Sequence, residues 1–298
     1  MRTINDYLQA FESWIIAHNF DNTSLYNDSK RVEEFLTWVQ VNQSYLLENQ
    51  TLEIGSQSVD LFFDYLKNRP NLRKGGALSL ATLRNYQMSL RRFTRHLEQA
   101  QKGRIDVSIV LKKEVQKIPF FFSIEQIQQL YETTNDDAMG QRDRVLLGIY
   151  YGCGLRKSEG AAIKLKDIML DKSLLYVRHG KGGKSRYVPM VGRIKTDLYE
   201  YLNDGRKTLL KGNVSPALFI SKYRIGMTKG GLYSRFKELQ KDVIKKPKGL
   251  HTLRHSIATH LLWQGMPLHF IARFLGHASI ESTQIYTHIM PTADKYPK

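Results

Sequence analysis

The stretch HTLRHSIATHLLWQGMPLHFIARFLGHASIESTQIYTHI, residues 251–289, decides the reading of this 298-residue chain. It places His251, Arg254, His277 and Tyr286 within a short span. His251 and Arg254 lie three apart at the start of an expected helix and so share a face. The preceding KKPKGL adds cations and a glycine suited to the turn into that helix. A helix N-terminus favours an anion, and a guanidinium beside it can hold two phosphate oxygens at once. An imidazole next to that anion is placed for proton transfer. Tyr286 follows His277 by nine residues, past a glycine that ends the helix expected at 267–275. A phenol, with a pKa near ~10, needs a base or a cationic field to act as a nucleophile. The combination suits attack on a phosphodiester by a tyrosine. Tyr286 alone would be weak evidence, because most of the 16 tyrosines must be packing residues.

Two upstream segments carry further candidates. Arg156, in GCGLRKSE, sits at a turn between helices and can reach a phosphate from a second side, with Glu159 one turn on as a buttress. Taken alone, that pair reads equally well as a surface ion pair of little worth. Lys181 occupies the glycine-rich turn HGKGGKSR, where glycines let the backbone approach a ligand. The GGKS within it is not a phosphate-cradling P-loop, because residue 178 is Arg where that motif needs glycine and RYVPM continues as a strand rather than a helix. His251, His255 and His260 crowd one helix, but no nearby Glu completes a zinc-binding HExxH arrangement and cationic Arg254 would sit beside the ion. Neither a metal nor a nucleotide cofactor is expected.

The charge points to an acidic partner. Forty-five Lys and Arg stand against 28 acids, for a net +17. Residues 1–66 carry three cations and ten acids, whereas 67–104 carry ten cations and one acid, so the positive charge begins abruptly at Lys67. Nucleic acid is the first partner such a balance implies and an anionic membrane surface the second. The single cysteine, Cys153, excludes an internal disulfide and CxxC chemistry. The acid-bearing, amphipathic N-terminus MRTINDYLQAFESW is unlike a secretory leader, and no apolar run approaches a membrane span. A soluble, cytoplasmic, nucleoid-associated protein is expected.

Apolar spacing predicts helices at 4–17, 30–41, 58–68 and 80–99. In the last, Leu83, Tyr86, Leu90, Phe93 and Leu97 form one stripe, with Arg84, Arg91, Arg92 and Arg95 roughly opposite and candidates for DNA contact. Residues 101–118 are polar and basic, which sets a helical first domain at 1–105, a linker at 106–118 and a second domain at 119–298. In the second domain a Ser123–Gln126 capping box opens a helix to about 133, and another helix ends at Gly152. Segments 173–178 and 185–190 read as a hairpin, whose Lys184 and Arg186 are further DNA-contact candidates. Helices follow at 193–210, 231–244, 251–264, 267–275 and 280–289. The fold class is mainly α with one small antiparallel β-sheet.

In the order Arg156, Lys181, His251, Arg254, His277 and Tyr286, this chain resembles the tyrosine recombinases, the phage integrases and Xer-type recombinases. GLRKSE, GKGGKSR, HTLRHSIATHLL, FLGHASI and TQIYTH are similar to that family's successive boxes. The resemblance covers 120–290 strongly and extends more weakly to the helices of 1–105, which match the family's core-binding domain. It implies a two-domain clamp around double-stranded DNA, with the six residues catalytic and Tyr286 the nucleophile. It implies a 3′-phosphotyrosyl intermediate, a Holliday junction and four protomers on two recombination sites, with a paralogous recombinase or accessory protein as a further partner. Mobile-element integration or excision is the expected role. Resolution of chromosome or plasmid dimers is the alternative, and a type IB topoisomerase or a non-catalytic DNA-binding protein comes behind it. Gly160 departs from the family, which usually has a bulky apolar residue there. The 12 residues beyond Tyr286 imply an abbreviated contact with a neighbouring protomer, and no additional N-terminal arm-binding module is expected.

Overall fold

The computed structural model describes residues 3–20, 22–44, 51–71, 75–112, 119–178 and 185–276. The chain divides into two compact units, Met1–Gln116 and Lys117–Lys298.

The first unit holds α1 (Ile4–Ala17), α2 (Asn22–Asn42), α3 (Ser56–Asn68) and α4 (Leu80–Gln99). Helix α1 opens with a capping box in which the Asp6 N–H donates to Thr3 Oγ1 and the Thr3 N–H donates to Asp6 Oδ2. The predicted stripe of α4 is buried throughout, with Phe93 edge-on to Phe11 at 5.1 Å and to Tyr7 at 6.4 Å. Two short strands, β1 (Leu52–Ile54) and β2 (Gly103–Ile105), pair in parallel. Gly103 is required there: its φ is +133° and a Cβ would lie 2.2 Å from the Leu52 carbonyl oxygen.

On the arginine face of α4, three of the four candidate DNA contacts, Arg84, Arg91 and Arg92, also have partners within the protein. Thr94 Oγ1 donates to Ile105 O, Arg91 to Val107 O, Gln87 to Ile109 O and Arg84 to Lys112 O. These side chains lie on one helical face and bind the backbone of the segment that runs back alongside it. Arg92 pairs with buried Asp28, which also accepts from Arg31 and from Ser89. Arg92 also lies over the Phe20 ring, at 4.8 Å. It therefore satisfies a buried carboxylate. Arg95 is exposed. Within the expected linker 106–118, Val107 is buried and Ile109 and Leu111 pack on the same core.

The second unit begins with α5 (Ile124–Glu132), opened by the predicted Ser123–Gln126 capping box, and α6 (Ala138–Leu147). Helix α6 continues as one π turn over Gly148–Gly152. Next come α7 (Lys157–Ala161) and an antiparallel sheet of β3 (Ile168–Met169), β4 (Leu174–Val177) and β5 (Arg186–Pro189), with Val177 opposite Arg186. The predicted hairpin is present, with β3 added at its edge. The helical stretch expected at 193–210 is α8 (Arg193–Glu200), a π turn and α9 (Arg206–Leu210). Helix α10 (Lys229–Leu239) stops short of the expected 244, because the buried Gln240 amide donates to Phe236 O and Lys248 O and accepts from the Lys248 N–H. That closes the loop leading into α11 (Leu250–Trp263), which is followed by α12 (Leu268–Leu275). Among the described residues no helix is long and apolar enough to cross a membrane.

Candidate active site

The site is built on one buried carboxylate. Glu159 lies in the first turn of α7 and reaches back to accept the Arg156 N–H at 2.9 Å. Arg156 Nη1 donates to Glu159 Oε1 at 2.6 Å. Arg186, from β5, grips the same carboxylate with both guanidinium tips, at 3.1 and 2.9 Å. Arg254, from α11, completes the group with Nη1 3.9 Å from Glu159 Oε2 and a 2.7 Å hydrogen bond to Gly154 O. Three helical or strand elements thus converge through their cations on a single anion. One carboxylate among three guanidinium groups leaves an excess of positive charge, the complement of a phosphodiester.

Local backbone explains the convergence. Gly154, at φ +61°, turns its carbonyl to Arg254, and a Cβ there would meet the Leu275 side chain at 2.7 Å. Gly276, at φ +66°, closes the C-terminus of α12. Its carbonyl accepts from Arg156 Nη2 at 2.7 Å, and Phe274 O accepts from Arg186 Nε at 3.2 Å. The end of α12 is therefore fastened to the cluster by two arginines.

The electrostatics follow from that packing. Burial alone would raise the Glu159 carboxyl, but hydrogen bonds from Arg186 and from the Arg156 backbone and side chain outweigh it and bring it to about 2. His251 stands one turn before Arg254 on α11. Desolvation first, then Arg254 and Arg156, hold it below the ordinary imidazole range. His255 packs edge-on to His251 with ring centroids 5.2 Å apart, and desolvation, His251 and Arg254 push it down to about 4. His251 is therefore neutral near pH 7 and can accept a proton. The one thiol, Cys153, is buried and raised to about 12, which leaves it inert.

Of the six candidate catalytic residues, the structure brings Arg156, His251 and Arg254 together. Lys181, Lys184, His277 and Tyr286 lie outside the described residues. Arg186, a DNA-contact candidate in the sequence, is a member of the cluster. Its signal was present in the strand alternation: residues 186 and 188 point inward, and an inward arginine needs a buried acid.

Known proteins bear directly on this site. The phage integrase family model matches residues 121–292, which include every candidate catalytic position. The chain belongs to the phage integrase family. It is a tyrosine site-specific recombinase. It is 30% identical over 297 residues to tyrosine recombinase XerD of Halalkalibacterium halodurans, covering 98% of this chain and 96% of that protein. It is also 30% identical to tyrosine recombinase XerC of Lacticaseibacillus casei, over 87% of each chain. Its fold is shared with the XerH site-specific recombinase solved bound to a palindromic difH substrate in a post-cleavage complex, with a TM-score of 0.69 at 19% identity over 95% of this chain and 91% of that one.

Within this recombinase the glycine at 160 has a specific cause. The Tyr150 ring fills the space, so a Cβ at 160 would lie 2.5 Å from its Cζ. The Tyr150 hydroxyl donates to Lys157 O at 3.1 Å. Here an aromatic side chain from the π turn supports the arginine-bearing turn, in place of a bulky residue on α7.

Proposed function

We propose that Arg156 and Arg254 bind the non-bridging oxygens of a scissile phosphate while Tyr286 attacks the phosphorus. The Tyr286 Oη–P bond forms and the P–O5′ bond breaks. His251 accepts the phenolic proton, Lys181 protonates the departing 5′-oxygen, and His277 donates a hydrogen bond to the phosphate. A 3′-phosphotyrosine keeps the bond energy, and a 5′-hydroxyl from a partner duplex reverses the step. The observation that carries this reading is the gathering of three arginines on Glu159 beside a neutral His251. Electrostatic donors of this kind act where charge develops in the transition state.

Two successive exchanges pass through a Holliday junction and need four protomers on two double-stranded sites. Both units act on the double-stranded site. The protein acts in the cytoplasm at the nucleoid, alone or with a paralogous recombinase or an accessory protein. The Xer names of the relatives favour resolution of chromosome or plasmid dimers over mobile-element integration.

The test is a labelled duplex nicked near the scissile phosphate, so that a cleaved strand cannot rejoin. Wild-type protein forms an SDS-resistant adduct on a cognate site, and Tyr286→Phe forms none while still binding. An adduct from Tyr286→Phe would remove the assigned nucleophile. Plasmid relaxation without exchange between sites would point instead to a type IB topoisomerase.

A further inference from the structure

The DNA-strand chemistry above uses two arginines, but the cluster contains three. Arg186 is the one that nothing in that chemistry employs. Its side chain is almost wholly enclosed, and three of its N–H groups are committed within the protein. Two go to the Glu159 carboxylate as a fork and the third to Phe274 O, at the end of α12. Its aliphatic stem and one guanidinium nitrogen fill the place where a Cβ of Gly276 would stand, at 2.9 Å each. From Gly276 the chain runs directly into the segment that holds His277 and Tyr286.

We propose that Arg186 is a positioning residue that ties the phosphate-binding arginines to the end of α12, and so fixes Arg156 against the scissile phosphate. The inference rests on the strand-transfer reading given above. Arg186 touches no reacting atom. It acts on Arg156 through the shared carboxylate and the shared helix end, because Arg156 itself bonds both Glu159 and Gly276 O. Only a guanidinium can do this, since a lysine ammonium supplies the charge without the planar fork and without a separate Nε–H for Phe274 O.

The carboxylate at the centre faces Arg156 on its own turn, Arg186 from β5, Arg254 and His251 from α11, and Tyr150 from the π turn. Removing Arg186 takes away the strongest of the hydrogen-bonding influences that keep Glu159 ionised. Its carboxyl then titrates closer to the ordinary range, and the acid-side loss of catalysis begins at higher pH than in wild type.

The experiment measures single-turnover adduct formation on the nicked cognate duplex, DNA affinity, and the pH–rate profile for wild type, Arg186→Gln and Arg186→Lys. Misplacement of a catalytic group by about 1 Å costs on the order of 10²-fold. Arg186→Gln is expected to lose about that much in rate, with DNA affinity within roughly threefold of wild type. Arg186→Lys is expected to fold, because it keeps the charge, and to recover only part of the rate. In both variants the acid limb moves to higher pH. Should Arg186→Gln fail to fold, the lysine variant decides alone. Wild-type rates and an unshifted acid limb in the variants, alongside a normal wild-type adduct, overturn the positioning role. Absence of any wild-type adduct removes the strand-transfer reading and this inference with it.

Discussion

Replacing Glu159 by Gln keeps the shape of the side chain and removes the one anion that holds three guanidinium groups together. The carboxyl is buried and lies at about 2 against an ordinary value of 4.5. A difference of that size is worth about 3 kcal/mol at neutral pH, at 1.36 kcal/mol per unit. The sign is that of a depressed carboxylate: its stabilisation is fully present above the unfolded value and is lost as pH falls towards the folded one. By pH 3 about 2 kcal/mol of it is gone. Breaking one partner of a buried ion pair typically costs about 3–5 kcal/mol, in the same range. Glu159→Gln is therefore expected to be about 3 kcal/mol less stable than wild type in urea melts at pH 7, and only about 1 kcal/mol less stable at pH 3. A deficit below about 0.5 kcal/mol at pH 7, or one of equal size at both pH values, would refute the role of this carboxylate as the ionised hub.

Three other outcomes follow from the structure. His255 lies at about 4 when folded, so the unfolded chain binds its proton first and stability falls from pH 6.5 down to 4. His255→Asn should flatten that part of a stability–pH curve, by up to about 3 kcal/mol, and a curve of unchanged shape would argue against it. Gly160→Leu should destabilise by at least about 1–3 kcal/mol through overlap with Tyr150, and Tyr150→Ala should partly relieve it in the double variant, as thermal melts would reveal. Arg92→Ala should lower the stability of the first unit by leaving Asp28 underpaired, whereas exposed Arg95→Ala should leave stability unchanged and reduce the salt slope of DNA binding by about 1. Equal effects of the two variants on both readouts would contradict that division.

What could be read in advance, and what could not, divides along local and non-local physics. The stripe of α4, the capping box at Ser123 and the hairpin of 173–178 with 185–190 each declare themselves within a few neighbouring residues, and each is present. The spacing of His251 and Arg254 likewise needed only one helical turn. The pairing of Leu52–Ile54 with Gly103–Ile105 joins strands about fifty residues apart that are too short to carry an alternation of their own. The acceptors of Arg84 and Arg91 are carbonyls of a distant segment, which no side-chain pattern announces. Glu159 was placed beside Arg156 by its spacing, but its burial depends on β5 and α11 arriving from elsewhere. The same holds for Gly160, whose missing side chain makes sense only once Tyr150 is seen above it.

The central claim is that the arginine cluster serves the charge on one scissile phosphate. It is tested most directly by comparing Arg156→Ala with wild type on two nicked duplexes, one with the natural linkage and one with a neutral methylphosphonate at the scissile position. On the natural linkage the variant is expected to form adduct about 10²–10³-fold more slowly. On the neutral linkage, where there is less charge for the guanidinium to stabilise, that gap should shrink to within about tenfold. The same large factor on both substrates would mean that Arg156 does not act on the phosphate charge.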